Sequence, residues 1–339
     1  MSRSGDAIGA PAPRPKVDPP PAALAHALLD AWPVLRAARR HDPRTRLPFA
    51  VLDGDRRRRV GSVAIAHLPA LALDNSRDSA LRLDDAGLLL QIAPPARSDY
   101  LATLNRRLRV AGVLRGWRDE IFPLLEASGA TPLALIERAS ARFWGCLTLG
   151  AHCNGIIPPT RNDGDGCSRL WLGRRAPSKS TDPGMLDNLV GGGVPFGQSP
   201  LQALYREGFE EAGLSLTQMQ AARPAGVYRI VQDIAEGLQN EDIHVHEIDL
   251  PHELVPINQD GEVAGFVALD IAEVLQRVQA GEMTVDASIA TLDAADRHGW
   301  LLHHLDGATA QAVHNALAAL RSSSFDSESL FHPNYRTSG

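Results

Sequence analysis

The spacing of apolar side chains along the chain predicts a mixture of helices and strands. Apolar residues recur at helical spacing in several stretches, which predict helices over residues 22–40, 100–110, 132–142, 271–280 and 308–321. Short apolar or alternating runs bounded by turn residues predict strands over residues 49–52, 60–66, 81–92, 143–157, 169–173, 187–193, 226–231, 243–250 and 265–269. A chain with this pattern belongs to the α/β class.

The pattern also divides the chain into regions, and 339 residues leave room for two domains. Residues 1–21 contain six prolines among small and charged residues, which predicts a disordered or extended leader. Residues 22–142 form a small N-terminal α/β unit in which we find no catalytic motif. Residues 143–305 form the main domain, and residues 306–339 form a C-terminal helix and polar tail.

Composition and charge exclude several classes of protein. The net charge of −6 argues against a general nucleic-acid-binding surface. We find no run of about 18 apolar residues, so we expect no transmembrane helix and no membrane partner. The N-terminus has no apolar signal core. The three cysteines have no metal-ligand spacing and form no even disulfide framework, so we expect reduced thiols in a cytoplasmic protein.

Residues 192–214 have the signals of a loop, a helix and a helix stop. Ser199 is a good N-cap and Pro200 fits the first helical position. Gln202, at the third position, can complete a capping box with Ser199. Gly213 is a good C-terminal stop, so the helix has about three and a half turns.

Three glutamates on this helix point to a metal. Glu207, Glu210 and Glu211 have the spacing i, i+3, i+4, which brings their carboxylates to one face. Three like charges there destabilise the helix unless a positive group compensates them. A hard cation with oxygen ligands, Mg²⁺ or Mn²⁺, is the expected partner.

The same stretch resembles the Nudix box, whose pattern is G, five residues, E, seven residues, R-E-U-x-E-E-x-G-U, with U aliphatic. The matching residues are Gly192, Arg206, Glu207, Glu210, Glu211, Gly213 and Leu214. Two positions depart from the pattern: Gln198 replaces its first glutamate, and Gly208 replaces an aliphatic residue. Gln198 carries no charge, and Gly208 can let a neighbouring side chain approach the helix.

A narrower resemblance extends to plant Nudix enzymes that act on thiamine diphosphate analogues and to fungal relatives. Its motifs lie at residues 183–187, 191–193, 207–213, 248–251, 260–266 and 297–299. It implies a Nudix α/β/α sandwich with a mixed sheet, preceded by an extra N-terminal domain. It also implies Mg²⁺-dependent hydrolysis of a small-molecule diphosphate.

The resemblance implies roles for individual residues. Glu207, Glu210 and Glu211 would bind metal or help to activate water, and Gly192 would offer its carbonyl. Arg206 would orient these carboxylates, and it is counted with the three glutamates among the candidate catalytic residues. Glu262 is a further candidate, either as general base or metal ligand or as an ordinary surface acid on a turn.

Substrate binding is predicted from a basic loop directly before the box. Arg174, Arg175 and Lys179 can hold a diphosphate, although an ordinary solvated loop would have the same composition. Thiamine-type diphosphates are the first substrate class by resemblance, and ADP-ribose or dinucleotides are the second. A diphosphate isomerase, a non-catalytic binding protein and a homodimer remain open. His152 and the pair His244 and His246 are expected to be structural.

Overall fold

The computed structural model describes residues 27–324 except 74–75, 77–78 and 161–166, together with Leu330. The predicted leader at 1–21 and most of the polar tail lie outside the described residues. So do residues 162–166, whose Asn, Asp and Gly composition predicts a hairpin turn. Among those described, no helix combines the length and apolar character needed to cross a membrane.

The N-terminal unit is built on a four-stranded sheet. Its strands are β1 (Arg46–Asp53), β2 (Arg56–Ala64), β3 (Leu81–Asp84) and β4 (Gly87–Leu90), in the order β2-β1-β4-β3. Helix α2 (Leu68–Leu71) lies between β2 and β3, and helix α3 (Pro94–Val110) follows β4. Next along the chain, β5 (Ile121–Leu124) and β6 (Ala134–Glu137) form an antiparallel pair. Helix α4 (Arg138–Trp144) ends the unit. Its core includes Phe49, Leu88 and Trp144, all fully buried.

The main domain is organised by a seven-stranded mixed sheet. Its strands are β7 (Leu147–Ile157), β8 (Arg169–Arg175), β9 (Leu186–Asp187), β10 (Val190–Gly193), β11 (Arg223–Ile234), β12 (Gly237–Asp249) and β13 (Val263–Asp270). The order is β11-β12-β7-β8-β13, with β10 on β7 and β9 on β8. Strands β7 and β12 are parallel and the other named pairs are antiparallel, so the predicted mixed sheet is confirmed.

Helices cover both faces of this sheet. On one face, α5 (Pro200–Ala212) and α6 (Leu216–Met219) pack on Ala151 and Cys153 of β7. On the other face lie α7 (Ile271–Gln279), α8 (Val285–Arg297), α9 (Trp300–His304) and α10 (Gly307–Leu320). Alternate residues of β7 and β12 contribute to the two cores, as the two-residue period of a strand requires. The predicted α/β/α sandwich is confirmed.

Two of the predicted helices differ in the structure. The helix expected over 22–40 is interrupted at Trp32, and α1 (Pro33–Ala37) is short. Trp32 precedes a proline, which disfavours helical backbone at that position. The helix expected over 132–142 is instead the strand β6 followed by α4.

The packing of the first described residues bears on the division into domains. Trp32 and Leu35 join the core that includes α8 and α10 of the main domain. They do not join the core of the N-terminal sheet. Helix α4 also crosses the expected boundary at residue 142. The division of the chain therefore stays a prediction.

Candidate active site

Helix α5 has the local structure that its sequence predicts. The Ser199 hydroxyl accepts a hydrogen bond from the Gln202 amide at 3.2 Å, and the Gln202 side chain accepts one from the Ser199 amide at 2.8 Å. These reciprocal bonds satisfy free N–H groups at the start of the helix. Gly213 adopts φ +67°, the left-handed geometry of a C-terminal stop.

The carboxylate of Glu207 lies against the backbone of strand β10. Glu207 is 7% exposed, and the position of a Cβ on Gly192 would be 2.3 Å from Glu207 Oε1. Only glycine at 192 permits this approach. Arg206 Nη2 lies 2.8 Å from Glu207 Oε1. Burial raises the pKa of Glu207, and the Arg206 charge offsets part of that rise.

Glu211 contacts strand β10 at Gly191, one residue before the Gly192 that Glu207 meets. The Gly191 amide donates a hydrogen bond to Glu211 Oε2 at 2.9 Å, and Glu211 is 5% exposed. Burial, with added repulsion from the carboxylates of Glu207 and Asp187, raises its pKa well above the ordinary value. Two buried, repelling carboxylates therefore face the glycine strand.

Glu210 is the most exposed of the three glutamates and pairs with Arg206. Arg206 Nη1 donates to Glu210 Oε2 at 2.7 Å, while Arg206 Nε lies 3.4 Å from Gln198 Oε1. Gln198 therefore contacts the arginine that the usual glutamate would pair with, but it does so without a charge. Arg206 links Glu207 and Glu210 into one network.

The three glutamates do not converge in this arrangement. Across the described part of the chain, no group of three or more histidine, cysteine, aspartate or glutamate side chains is placed to hold a metal ion. Glu207 and Glu210 turn to Arg206, and Glu211 turns to the Gly191 amide. The predicted metal face is therefore present as neighbouring carboxylates whose partners are Arg206 and the Gly191 amide.

The second departure from the box, Gly208, has a packing reason. A Cβ at Gly208 would be 2.6 Å from the Met219 sulfur and 2.8 Å from its methyl carbon. Met219, the last residue of α6, is fully buried in the core that α5 and α6 share. The expectation that a side chain approaches the helix at Gly208 is confirmed.

The predicted phosphate-binding cations already have partners. Arg175 Nη1 lies 2.8 Å from Asp187 Oδ2, and Arg174 donates to the Gly184 carbonyl at 2.8 Å from an exposed position. Lys179 forms an ion pair with Glu262. Of these three, Arg175 and Lys179 line a cleft beside the glycine strand, which is described below, whereas Arg174 does not.

Glu262 lies between two cations. It pairs with Lys179 and with Arg118 of the N-terminal unit. Burial acts to raise its pKa, but hydrogen bonds from Lys179 and Arg118 hold the pKa at about 2. Glu262 is thus an ionised and weakly basic carboxylate in this arrangement.

A cleft of about 870 Å³ runs beside the glycine strand and contains groups that sequence reasoning missed. The N-terminal unit, which ends with α4, contributes five of its arginines. The main domain contributes Arg175, Lys179, β10 and an acidic wall. The cationic side chains in its lining are Arg40, Arg115, Arg118, Arg138, Arg142, Arg175 and Lys179. No local sequence motif marks the arginines that come from the N-terminal unit.

The acidic wall of the cleft centres on Asp286 and Glu241. The Gln239 amide donates to Asp286 Oδ1 at 2.9 Å and to Glu241 Oε2 at 3.1 Å, bridging the two. Burial and the nearby Glu241 charge raise the pKa of Asp286 to about 7. Asp286 belongs to the first turn of α8, where a carboxylate is favoured by the helix dipole.

Two of the three histidines predicted to be structural, His152 and His246, have side-chain hydrogen bonds in the fold. His152 Nδ1 lies 3.0 Å from Asn188 Oδ1 in a buried contact, and its ring lines the cleft. His246 Nδ1 lies 3.2 Å from the His244 carbonyl oxygen. Burial lowers the pKa of both His244 and His246.

The chain is similar to known proteins, and one stretch of it matches a family model. Residues 155–287 match a family model described as NUDIX domain. The chain is 33% identical over 215 residues to Nudix hydrolase 20, chloroplastic, of Arabidopsis thaliana, covering 63% of this chain and 56% of that protein. It is 33% identical over 207 residues to Nudix hydrolase 24, chloroplastic, of the same plant, covering 61% and 55%. The chain thus spans about half the length of these relatives.

Among solved structures, the chain is similar to DR0079 from Deinococcus radiodurans. The sequence identity is 24% and the TM-score is 0.33. The similarity covers 43% of this chain and 81% of that chain.

Proposed function

Since this chain carries a Nudix domain, we propose that it hydrolyses a diphosphate linkage with the help of a divalent cation, Mg²⁺ or Mn²⁺. The observation that carries the proposal is the pair of buried glutamates at the glycine strand. Glu207 and Glu211 are both nearly inaccessible, and both face the backbone of residues 191–192. The cleft that residues 191–193 of the same strand help to line contains cations that suit an anionic substrate.

The residues at this position fit a hard cation by their chemistry. Glu207 and Glu211 supply only oxygen donors, and burial raises the pKa of both carboxyl groups. Glu207, Glu210, Glu211 and the Gly192 carbonyl would hold the ion. When bound, such an ion neutralises phosphate charge and acidifies water.

The protein's own groups keep the carboxylates in place. Arg206 holds Glu207 and Glu210, and Gln198 contacts Arg206 from the loop before α5. The Gly191 amide holds Glu211. These contacts hold Glu207 and Glu211 against the glycine strand before an ion binds.

Glu262 has a different role in this proposal. Because its pKa is held at about 2, it is a poor proton acceptor while Lys179 and Arg118 remain paired with it. Its ion pairs favour a role in placing Lys179 at the cleft. A phosphate group could then share Lys179 without a large movement of the loop.

For the substrate, we propose a small diphosphate compound. Thiamine diphosphate and its oxidised analogues come first by the narrower resemblance, and ADP-ribose or dinucleotides come second. The hydrolase activity and the chloroplastic location in the names of the plant relatives belong to those proteins. The cytoplasmic location of this chain stays a prediction, as does a homodimer.

The test is a hydrolysis screen with and without Mg²⁺. The panel holds thiamine diphosphate, its oxidised analogues, ADP-ribose and a dinucleotide. We expect metal-dependent cleavage that Glu211→Gln removes, because the variant loses one buried carboxylate. The products are a phosphomonoester and phosphate from thiamine diphosphate, and two phosphomonoesters from ADP-ribose. Glu253→Gln is the matched control, since Glu253 is exposed and lies outside the cleft lining. Full activity of Glu211→Gln would contradict the assignment.

A second candidate is a binding protein without turnover. Two observations favour it: Gln198 replaces the usual glutamate, and in the described residues the acids do not converge into a group for a metal. Equilibrium binding of the same panel separates the two functions. Tight binding without metal-dependent hydrolysis would support the binding protein.

A further inference from the structure

Helix α4 joins the two units and presents arginines to the cleft. Arg138 and Arg142 have the spacing i, i+4, so they share one face of the helix, and both line the cleft. The Arg138 guanidinium carbon lies 3.4 Å from the position of a Cβ on Gly193, on the face of β10 opposite to the one that Glu207 meets at Gly192. The helix therefore lines the cleft next to the glycine strand.

The cations in the cleft differ in their partners. Arg118, Arg138 and Arg175 each form an ion pair with a carboxylate, as does Lys179. Within the described residues, Arg142 has no carboxylate within 4.0 Å. Its Nη1 donates only to the Thr181 hydroxyl, at 3.1 Å. A half-buried guanidinium with one neutral partner retains most of its hydrogen-bonding capacity for an anion.

Packing from both units fixes the backbone that carries Arg142. A Cβ at Gly237, in the β11–β12 hairpin, would be 2.2 Å from the Arg142 carbonyl oxygen. A Cβ at Gly61, in β2 of the N-terminal sheet, would be 2.3 Å from the Trp144 carbonyl oxygen. The two glycines let both sheets approach α4 closely, so its side chains have defined starting points.

We propose that Arg142 binds a phosphate group of the substrate, and that the N-terminal unit thereby helps to build the substrate site. The inference rests on the proposed function for the identity of the ligand. A phosphate offers oxygens that match the fork of a guanidinium. Arg115, which is exposed in the same lining and has no ion pair among the described residues, adds positive charge. The extra domain then has a direct function in substrate binding.

The experiment measures binding of methylenediphosphonate, a diphosphate analogue that cannot be hydrolysed, by calorimetry in the presence of Mg²⁺. We expect Arg142→Gln to weaken binding about tenfold or more, because it removes a charge-assisted contact. The KM of any hydrolysed substrate should rise by a similar factor. Arg107→Gln is the matched control: it lies on α3 of the same unit, is exposed and is absent from the cleft lining.

The outcomes separate this inference from the proposed function. Weaker binding by Arg142→Gln without hydrolysis of any panel compound would support the phosphate site and refute the hydrolase. Hydrolysis with an unchanged KM in Arg142→Gln would overturn the phosphate site and leave the hydrolase. Equal affinity of wild type and variant, including binding by neither, would also overturn it.

A second variant keeps the test decisive if Arg142→Gln does not fold. Arg142→Lys retains the positive charge but replaces the planar fork by a point charge. We expect binding several-fold weaker than wild type and stronger than in Arg142→Gln. Wild-type affinity in a folded Arg142→Lys variant, shown by an unchanged thermal transition, would overturn the role of the guanidinium.

Discussion

Replacing Gly192 by alanine tests whether the position of the Glu207 carboxylate determines activity. The new methyl group would lie 2.3 Å from Glu207 Oε1 and 2.4 Å from its Cδ. Ordinary contact between non-bonded heavy atoms requires about 3.5 Å, so the carboxylate must move by about 1 Å. A displacement of that size at a functional group can reduce turnover about 100-fold.

The same substitution should affect stability far less. The crowded atoms belong to the far end of a side chain, so the carboxylate can move while strand β10 stays in place. We expect strain on the order of 1 kcal/mol, partly offset because alanine restricts the unfolded chain more than glycine does. A large loss of turnover with a small change in the free energy of unfolding is therefore the expected signature.

The assay compares initial rates of Mg²⁺-dependent hydrolysis with the free energy of unfolding from urea titration. Gly265→Ala is the matched control, because Gly265 lies in β13 of the same sheet and its Cβ would meet no heavy atom within 4 Å. We expect wild-type rates from the control. Wild-type turnover in a folded Gly192→Ala variant would refute the placement of Glu207 at the reactive site.

Three further predictions concern stability. Gly208→Ala should destabilise the protein in urea titration, because overpacking against Met219 costs about 1–3 kcal/mol and exceeds a helix-propensity gain of up to about 1 kcal/mol. When Met219 is first replaced by alanine, Gly208→Ala should cost less stability, because the crowded side chain is gone. Gln198→Glu should raise the thermal midpoint slightly, because the new carboxylate can pair with Arg206. The gain in the free energy of unfolding should be at most about 1 kcal/mol, because Arg206 is partly exposed, and an unchanged or lower midpoint would contradict the prediction. Burial acts to raise the pKa of Glu247, but hydrogen bonds from His298 and Arg297 hold it at about 2, below the ordinary 4.5. The unfolded state therefore takes up a proton first as the pH falls, so this stabilisation is full above about pH 5 and is lost toward pH 2. The free energy of unfolding should fall less between about pH 6 and pH 3 in Glu247→Gln than in wild type.

Features that depend on neighbouring residues could be predicted from the sequence. The cap of α5 consists of bonds between Ser199 and Gln202, three residues apart, and its stop is the left-handed Gly213. The common face of the glutamates follows from helical periodicity alone. The mixed sheet and the sandwich followed from the resemblance, since no local pattern states which strands pair.

The errors have identifiable physical causes. Residues 134–137 contain Ala, Leu, Ile and Glu, which are compatible with a helix, yet they pair with β5 as the strand β6. That pairing is a tertiary contact that overrides local propensity. The break at Trp32 was readable, because the residue before a proline is disfavoured in a helix.

The partners of the charged residues could not be predicted, and they decide which cations are available to a ligand. Sequence proximity to the box singled out Arg175 and Lys179, but the fold pairs them with Asp187 and Glu262. The Arg118–Glu262 contact joins residues that lie 144 positions apart. Spacing along the chain gives the chemistry of a side chain, whereas its share of charge depends on contacts that only the fold creates. For that reason Arg142, which no motif marks, has more hydrogen-bonding capacity left for a phosphate than Arg175 or Lys179.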